Sequence, residues 1–153
     1  MSAGYSAVAL FCEDIREEKS GTTTLVGVFS DNIEVPQLPM NFPKLAVYTR
    51  IIFPINQKPE ELQVIIKDAD GKETNFSSFD RDFVKKTIDG VKSKGAPIVG
   101  LITRAIAPGF PVQKAGRLLI LVRGAKFEII AGQLNIRVSE QSSTEPSASA
   151  QPS

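Results

Sequence analysis

Residues 10–29 read "LFCEDIREEKSGTTTLVGVF" and show the pattern that recurs along the chain. Apolar runs flank a charged cluster, which begins directly after the single cysteine, Cys12, and extends to Lys19. The flanking runs are short and rich in Val, Thr and Phe, and their apolar residues alternate with a period of two, which is typical of β-strands. We therefore interpret the stretch as a strand over 5–12, a charged connecting turn, and a second strand over 22–29.

The same pattern continues along the chain and predicts an all-β protein. Further strands are expected at 32–35, 44–53 and 97–107, and hairpins at 61–79 and 116–138, with a bulge at Gly132. The proline-rich segment 35–43 is predicted to be a crossing loop, because proline cannot donate a hydrogen bond within a central strand.

One segment has a helical period. Val84, Ile88 and Val91 recur at i, i+4 and i+7, which predicts one short helix around 82–93. Together these elements indicate a mostly antiparallel, two-layer β-sandwich of the immunoglobulin-like kind, with one short helix. A closed barrel is the alternative architecture.

The length of 153 residues suits a single domain. We predict one β-sandwich domain over 1–138 and a disordered, Ser- and Pro-rich tail over 139–153, which has too few apolar residues to offset the entropy of ordering it. No apolar run reaches the roughly 18 residues that span a bilayer, and no Lys or Arg precedes the first apolar run. We therefore expect a cytoplasmic protein without a membrane segment.

Two segments resemble a known family. "ALFCEDIREEKSGTTTLVGVFSDNI" (9–33) and "LAVYTRIIF" (45–53) are similar to the opening of an uncharacterised bacterial family of small proteins. Its members share a Leu-Phe-Cys-acid-Asp-Ile-Arg segment and a Leu-x-Gly-Val partner strand. The resemblance implies the same fold class and a bacterial cytoplasmic origin. It implies no activity, because the family has none assigned.

The composition excludes much of enzyme chemistry. The chain contains no His, so it cannot form a Ser-His-Asp triad, a Cys-His pair or a His-ligated zinc site by itself. Cys12 is followed by Glu13 and Asp14, and neighbouring acids raise the pKa of a thiol. Alternation groups Cys12 with Val8 and Leu10 on a face that we expect to line the core, so we predict a buried structural cysteine. We expect no enzyme activity, no cofactor and no metal.

The acidic cluster is the first candidate site. Its four carboxylates are ligands that suit a hard cation such as Ca²⁺ or Mg²⁺, and they belong to Glu13, Asp14, Glu17 and Glu18. Paired carboxylates can also hydrolyse glycosides. The spacing of the four residues matches no dedicated metal loop. The simpler interpretation is a solvated turn in which Asp14 accepts backbone N–H bonds and Arg16 pairs locally. If the turn instead contacts a partner, Asp14 and Arg16 are the two candidate residues.

The charge distribution gives the second candidate. Residues 1–80 carry 7 Lys/Arg and 12 Asp/Glu, whereas residues 81–138 carry 11 and 3. This basic half predicts a binder of nucleic acid or another anion, or two halves that neutralise each other within one fold. Its candidate contacts are Lys85, Lys86, Lys92, Lys94, Arg117, Arg123, Lys126 and Arg137.

Three functions are therefore open. The favoured hypothesis is a non-enzymatic interaction or scaffold module whose partner is another protein. The first alternative is the binder of nucleic acid or an anionic ligand. The second is a carboxylate-based hydrolase or metal-dependent enzyme centred on residues 13–18.

Overall fold

The computed structural model of the chain describes residues 4–140, and residues 141–153 of the predicted tail lie outside the described range. Within residues 4–140 the chain forms nine strands and one helix. In chain order these are β1 (Ser6–Glu17), β2 (Thr23–Val28), β3 (Asn32–Val35), β4 (Met40–Pro54), β5 (Leu62–Lys67), β6 (Glu73–Phe79), α1 (Arg81–Ser93), β7 (Ile98–Val112), β8 (Gly116–Arg123) and β9 (Glu128–Val138).

The strands form two sheets in a sandwich-like arrangement. One sheet has four strands in the order β2-β1-β4-β7, and the other has five in the order β3-β9-β8-β5-β6. The paired strands run antiparallel except β3 and β9, which are parallel. These observations confirm the prediction of a mostly antiparallel, two-layer all-β fold with one short helix.

The core lies between the two sheets. It is filled by alternate side chains of the strands, including Phe11, Leu45, Val47, Ile51, Phe53, Val64, Leu101, Ile120, Val122 and Leu134. The sheets are in close contact where Gly132 meets β1, since a Cβ at this glycine would lie 2.5 Å from the carbonyl oxygen of Ala9. The register shifts beside Gly132, because the consecutive residues Ile120 and Leu121 pair with Gly132 and Ile130. The predicted bulge is therefore present.

The helix α1 closes one side of the sandwich. Its N-cap is Asp80, whose carboxylate accepts a hydrogen bond of 2.8 Å from the backbone N–H of Phe83. Val84 and Ile88 are buried in the core. This confirms the helix predicted around 82–93.

Three strands are longer than predicted. β1 continues to Glu17, so most of the charged cluster lies in a strand and the turn spans only 18–22. β4 begins at Met40 and includes Pro43, which is possible because β1 pairs with β4 only as far as Ala46. β7 continues past its prolines to Val112. This is possible because β7 is an edge strand, so a proline whose missing N–H would point away from β4 removes no hydrogen bond between strands.

Candidate interaction surface

The outer face of the four-stranded sheet, the face turned away from the core, is apolar. Register places side chains of β1, β4 and β7 in rows across it: Arg50 lies between Val8 and Ile102, and Tyr48 lies between Leu10 and Arg104. Val8 is 57% exposed. The other exposed apolar side chains on this face are Leu10, Val28, Ile98, Ile102 and Ile106. Exposed apolar side chains that adjoin one another are typical of interaction sites.

The outer face of the five-stranded sheet is different. Its polar side chains bond to one another across strands: Arg123 binds Glu73 with two hydrogen bonds of 2.9 Å and also contacts Glu128. Arg137 pairs with Glu34 at 3.1 Å. The ordinary antiparallel sandwich has an apolar inner face and a polar outer face. The five-stranded sheet follows that rule except for one row across β5, β8 and β9, formed by Ile65, Leu121 and the exposed Ile130. The four-stranded sheet departs from it more widely, with six exposed apolar side chains.

A hairpin arm borders the apolar face. We define the arm as residues 13–26, the part of the β1–β2 hairpin beyond the last β1–β4 pair, Cys12 and Ala46. Arg104 of β7 donates a hydrogen bond of 2.9 Å to the hydroxyl of Thr23, and its guanidinium lies 3.7 Å from a carboxylate oxygen of Glu17. Because β2 and β7 are opposite edges of the sheet, the arm must bend over the outer face for these contacts to form.

The two residues proposed from the sequence have different environments. Asp14 accepts a hydrogen bond of 2.9 Å from the N–H of Ile15 and lies 3.4 Å from the ammonium of Lys44. The backbone hydrogen bond first, and the Lys44 contact after it, hold the pKa of Asp14 below its usual value. Asp14 therefore fixes the base of the arm.

Arg16 is exposed, and its guanidinium makes no hydrogen bond or ion pair with another residue in the range 4–140, although its backbone pairs with Thr24 in the sheet. Arg50 is also exposed and unpaired within that range. Arg50 lines a depression of about 250 Å³ together with Val8 and Ile52. The apolar face thus carries a free guanidinium beside an apolar recess.

Cys12 lies at the base of the arm and is fully buried. The sequence grouped it with Val8 and Leu10 on a core face, and this was wrong: Ala9 and Phe11 face the core, whereas Val8 and Leu10 face outward. Burial raises the pKa of the Cys12 thiol. The prediction of a buried cysteine is confirmed.

The acidic residues of the cluster do not converge. Asp14 contacts Lys44, Glu17 contacts Arg104, and a Cβ at Gly27 would collide with the side chain of Glu13. In the part of the chain that the structure describes, no group of three or more Cys, Asp and Glu side chains could hold a metal ion.

The basic second half is partly neutralised. Four of its cations pair with carboxylates of the first half: Arg104 with Glu17, Lys114 with Asp70, Arg123 with Glu73, and Arg137 with Glu34. The two halves of the sequence interleave in one sandwich, so an asymmetry along the chain becomes a mixture of charges on the surface.

Sequence reasoning missed the apolar face, although β4 and β7 carry a signal for it. The runs "LAVYTRIIF" (45–53) and "IVGLITRAIA" (98–107) are apolar at many positions of both parities. Such runs are typical of strands covered on both faces. Here the described chain covers the inner face, and it covers the outer face only near the arm, where Cys12 and Ala46 are buried.

Comparison with known proteins gives one match. A family model described as "Family of unknown function (DUF6941)" matches residues 7–96. The match includes most of the segments on which the resemblance rested, so the resemblance to a family without assigned activity is confirmed. No curated protein and no solved structure matches the chain. Between residues 4 and 140, none of the helical structure has the length and apolar character needed to cross a bilayer.

Proposed function

Because the chain belongs to DUF6941, a family of unknown function that brings no activity to transfer, we propose from its surface that it is a non-enzymatic protein-interaction module. It binds its partner through the outer face of the four-stranded sheet, and it works in a bacterial cytoplasm. The observation that carries the proposal is the row of exposed apolar side chains on that face, where an ordinary sandwich is polar.

The face also indicates what kind of partner it fits. Val8, Ile52 and Arg50 surround the recess of about 250 Å³, so an apolar side chain entering it would lie beside an unpaired guanidinium. Arg16 adds a second exposed cation near Asp14. The partner we propose is a protein whose contacting surface is apolar and carries a carboxylate that pairs with Arg50.

The alternative functions have less support. Four cations of the basic half are paired with carboxylates, which weakens the case for a surface that collects phosphates. The carboxylates of residues 13–18 make separate contacts, and burial keeps the Cys12 thiol protonated, so neither supports a hydrolytic site.

The test is affinity capture with the full chain and matched surface variants. Ile106→Lys and Arg50→Glu change the proposed surface. Ile130→Lys is the control, because Ile130 is equally apolar and 61% exposed but lies on the five-stranded sheet. We expect wild type and Ile130→Lys to capture the same protein, and the two face variants to lose it.

The captured protein is then purified and titrated against all four forms. We expect Ile106→Lys and Arg50→Glu to weaken binding roughly tenfold or more, as for residues at the centre of an interface. A fifth form, Arg50→Lys, should bind more tightly than Arg50→Glu, since it keeps the positive charge. Equal binding by all four forms, or a wild-type chain that captures nothing, would refute the proposal.

A further inference from the structure

The four-stranded sheet ends in an unusually long edge strand. β7 spans 15 residues and pairs only with β4 in the described chain. Natural proteins protect such edges with lysine, proline, bulges or very short strands, because an open edge recruits other strands. The other edges are shorter: β3 has four residues, β2 has six and β6 has seven.

Within β7 itself, the residues that interrupt pairing are confined to one end, and α1 also contacts the strand. Pro108, Gly109 with a φ of +76°, and Pro111 interrupt its last part. The segment 98–107 contains no proline, no lysine and no glycine with positive φ. Its outward-facing residues are, in order, Ile98, Gly100, Ile102, Arg104 and Ile106.

The outward-facing residues of 98–107 are complementary to the same residues of a second copy of the chain. In an antiparallel pair of two β7 strands centred on Ile102, that residue meets its own copy. Ile98 then lies opposite Ile106, and Gly100 lies opposite Arg104. Apolar side chains face apolar ones, and the missing side chain of the glycine leaves room for the arginine. A register centred on Arg104 would instead place two guanidiniums opposite each other, which is unfavourable.

We propose that β7 pairs with β7 of a second copy of this chain, antiparallel about a two-fold axis at Ile102. The pairing joins two four-stranded sheets into one sheet of eight strands and makes their apolar outer faces continuous. The dimer thereby covers the open edge and doubles the surface offered to a partner. It does not depend on the proposed function, because the edge and the outer face are different surfaces of the sheet.

The first test is the oligomeric state of the full chain by analytical ultracentrifugation over a range of concentrations. We expect a dimer of twice the 16.6 kDa chain that dissociates on dilution. A chain that is monomeric at every concentration would overturn the proposal, whatever the capture experiment finds.

The second test uses Gly100, where the structure leaves open space: a Cβ there would meet no atom within 4 Å, so a side chain fits the single chain. Gly100→Lys places a second cation opposite Arg104 and should shift the equilibrium toward monomer. Gly100→Glu places a carboxylate there and should tighten the dimer. A dimer that responds to neither variant uses another surface, and the proposal is then wrong.

The third test is cross-linking of introduced cysteines under mild oxidation, with Cys12 silent because it is buried. Ile102→Cys should form a disulfide-linked dimer, since the two-fold axis brings the two copies together. Ile98→Cys is the matched control, because its nearest partner is Ile106 of the other copy and it should not cross-link. Cross-linking at position 98 instead of 102 would contradict the register.

Discussion

Two threonines in the core make a quantitative prediction. Thr49 and Thr103 lie directly opposite each other on the inner faces of β4 and β7, and both are buried. Their hydroxyl oxygens have no hydrogen-bond partner in the described chain. A buried hydroxyl without a partner costs about 1–3 kcal/mol relative to its hydrated state. Each threonine should therefore destabilise the fold relative to a valine of the same shape.

We expect Thr49→Val and Thr103→Val each to raise the free energy of unfolding by about 1 kcal/mol. The double variant should gain about 2 kcal/mol, equivalent to a rise in Tm of about 4–8 °C for a domain of this size. Chemical denaturation followed by circular dichroism measures these changes, with the denaturant slope m unchanged. Thr24→Val is the control, because Thr24 is exposed on β2 and its replacement should change stability by less than about 0.5 kcal/mol.

The double variant also tests the reasoning. If the two hydroxyls acted on each other, replacing both would differ from the sum of the single changes by more than about 0.5 kcal/mol. If either valine variant were less stable than wild type by more than about 0.5 kcal/mol, the hydroxyl would have a stabilising partner in solution, and the prediction would be wrong.

Three further predictions concern single residues. Gly132→Ala should lose about 1–3 kcal/mol of stability, because its methyl group would meet the backbone of Ala9; unfolding curves that match wild type would show that the sheets separate freely. Cys12 should react with a thiol reagent slowly in the native protein and quickly in denaturant, and fast native labelling would contradict its burial. Burial first, and then the charge of Glu60, raises the pKa of Tyr5 to about 12, above its ordinary value of 10.0. Stability should therefore fall as the pH rises from about 10 through 12, an effect that Tyr5→Phe should remove, and an unchanged fall in that variant would exclude Tyr5 as the cause.

The fold could be predicted from local patterns. Local patterns show which residues of an element are buried and which are exposed. These patterns are the alternation in 44–53 and 62–66, the turn residues, and the helical spacing of Val84 and Ile88. Each pattern lies within a few residues of the chain, so the layers and the helix followed from them. The ends of the strands could not be predicted from such patterns, because Pro43 and the prolines of β7 are tolerated only where a neighbouring strand is missing.

The candidate surface depended on contacts that the sequence does not encode locally. Cys12 was assigned to the same side as Val8 and Leu10 correctly, but that side proved to face outward. Alternation identifies two faces and cannot say which is covered when both are apolar. The pairing of Asp14 with Lys44 likewise could not be predicted, because Lys44 lies 30 residues further along the chain and on another strand.

The central claim is that the outer face of the four-stranded sheet is a docking surface. Carbene footprinting of the full chain, alone and saturated with the purified captured protein, measures this directly by labelling exposed side chains. We expect labelling of Val8, Leu10, Ile102 and Ile106 to fall in the complex while labelling of Ile130 is unchanged. Protection of Ile130 with undiminished labelling of the other four would contradict it.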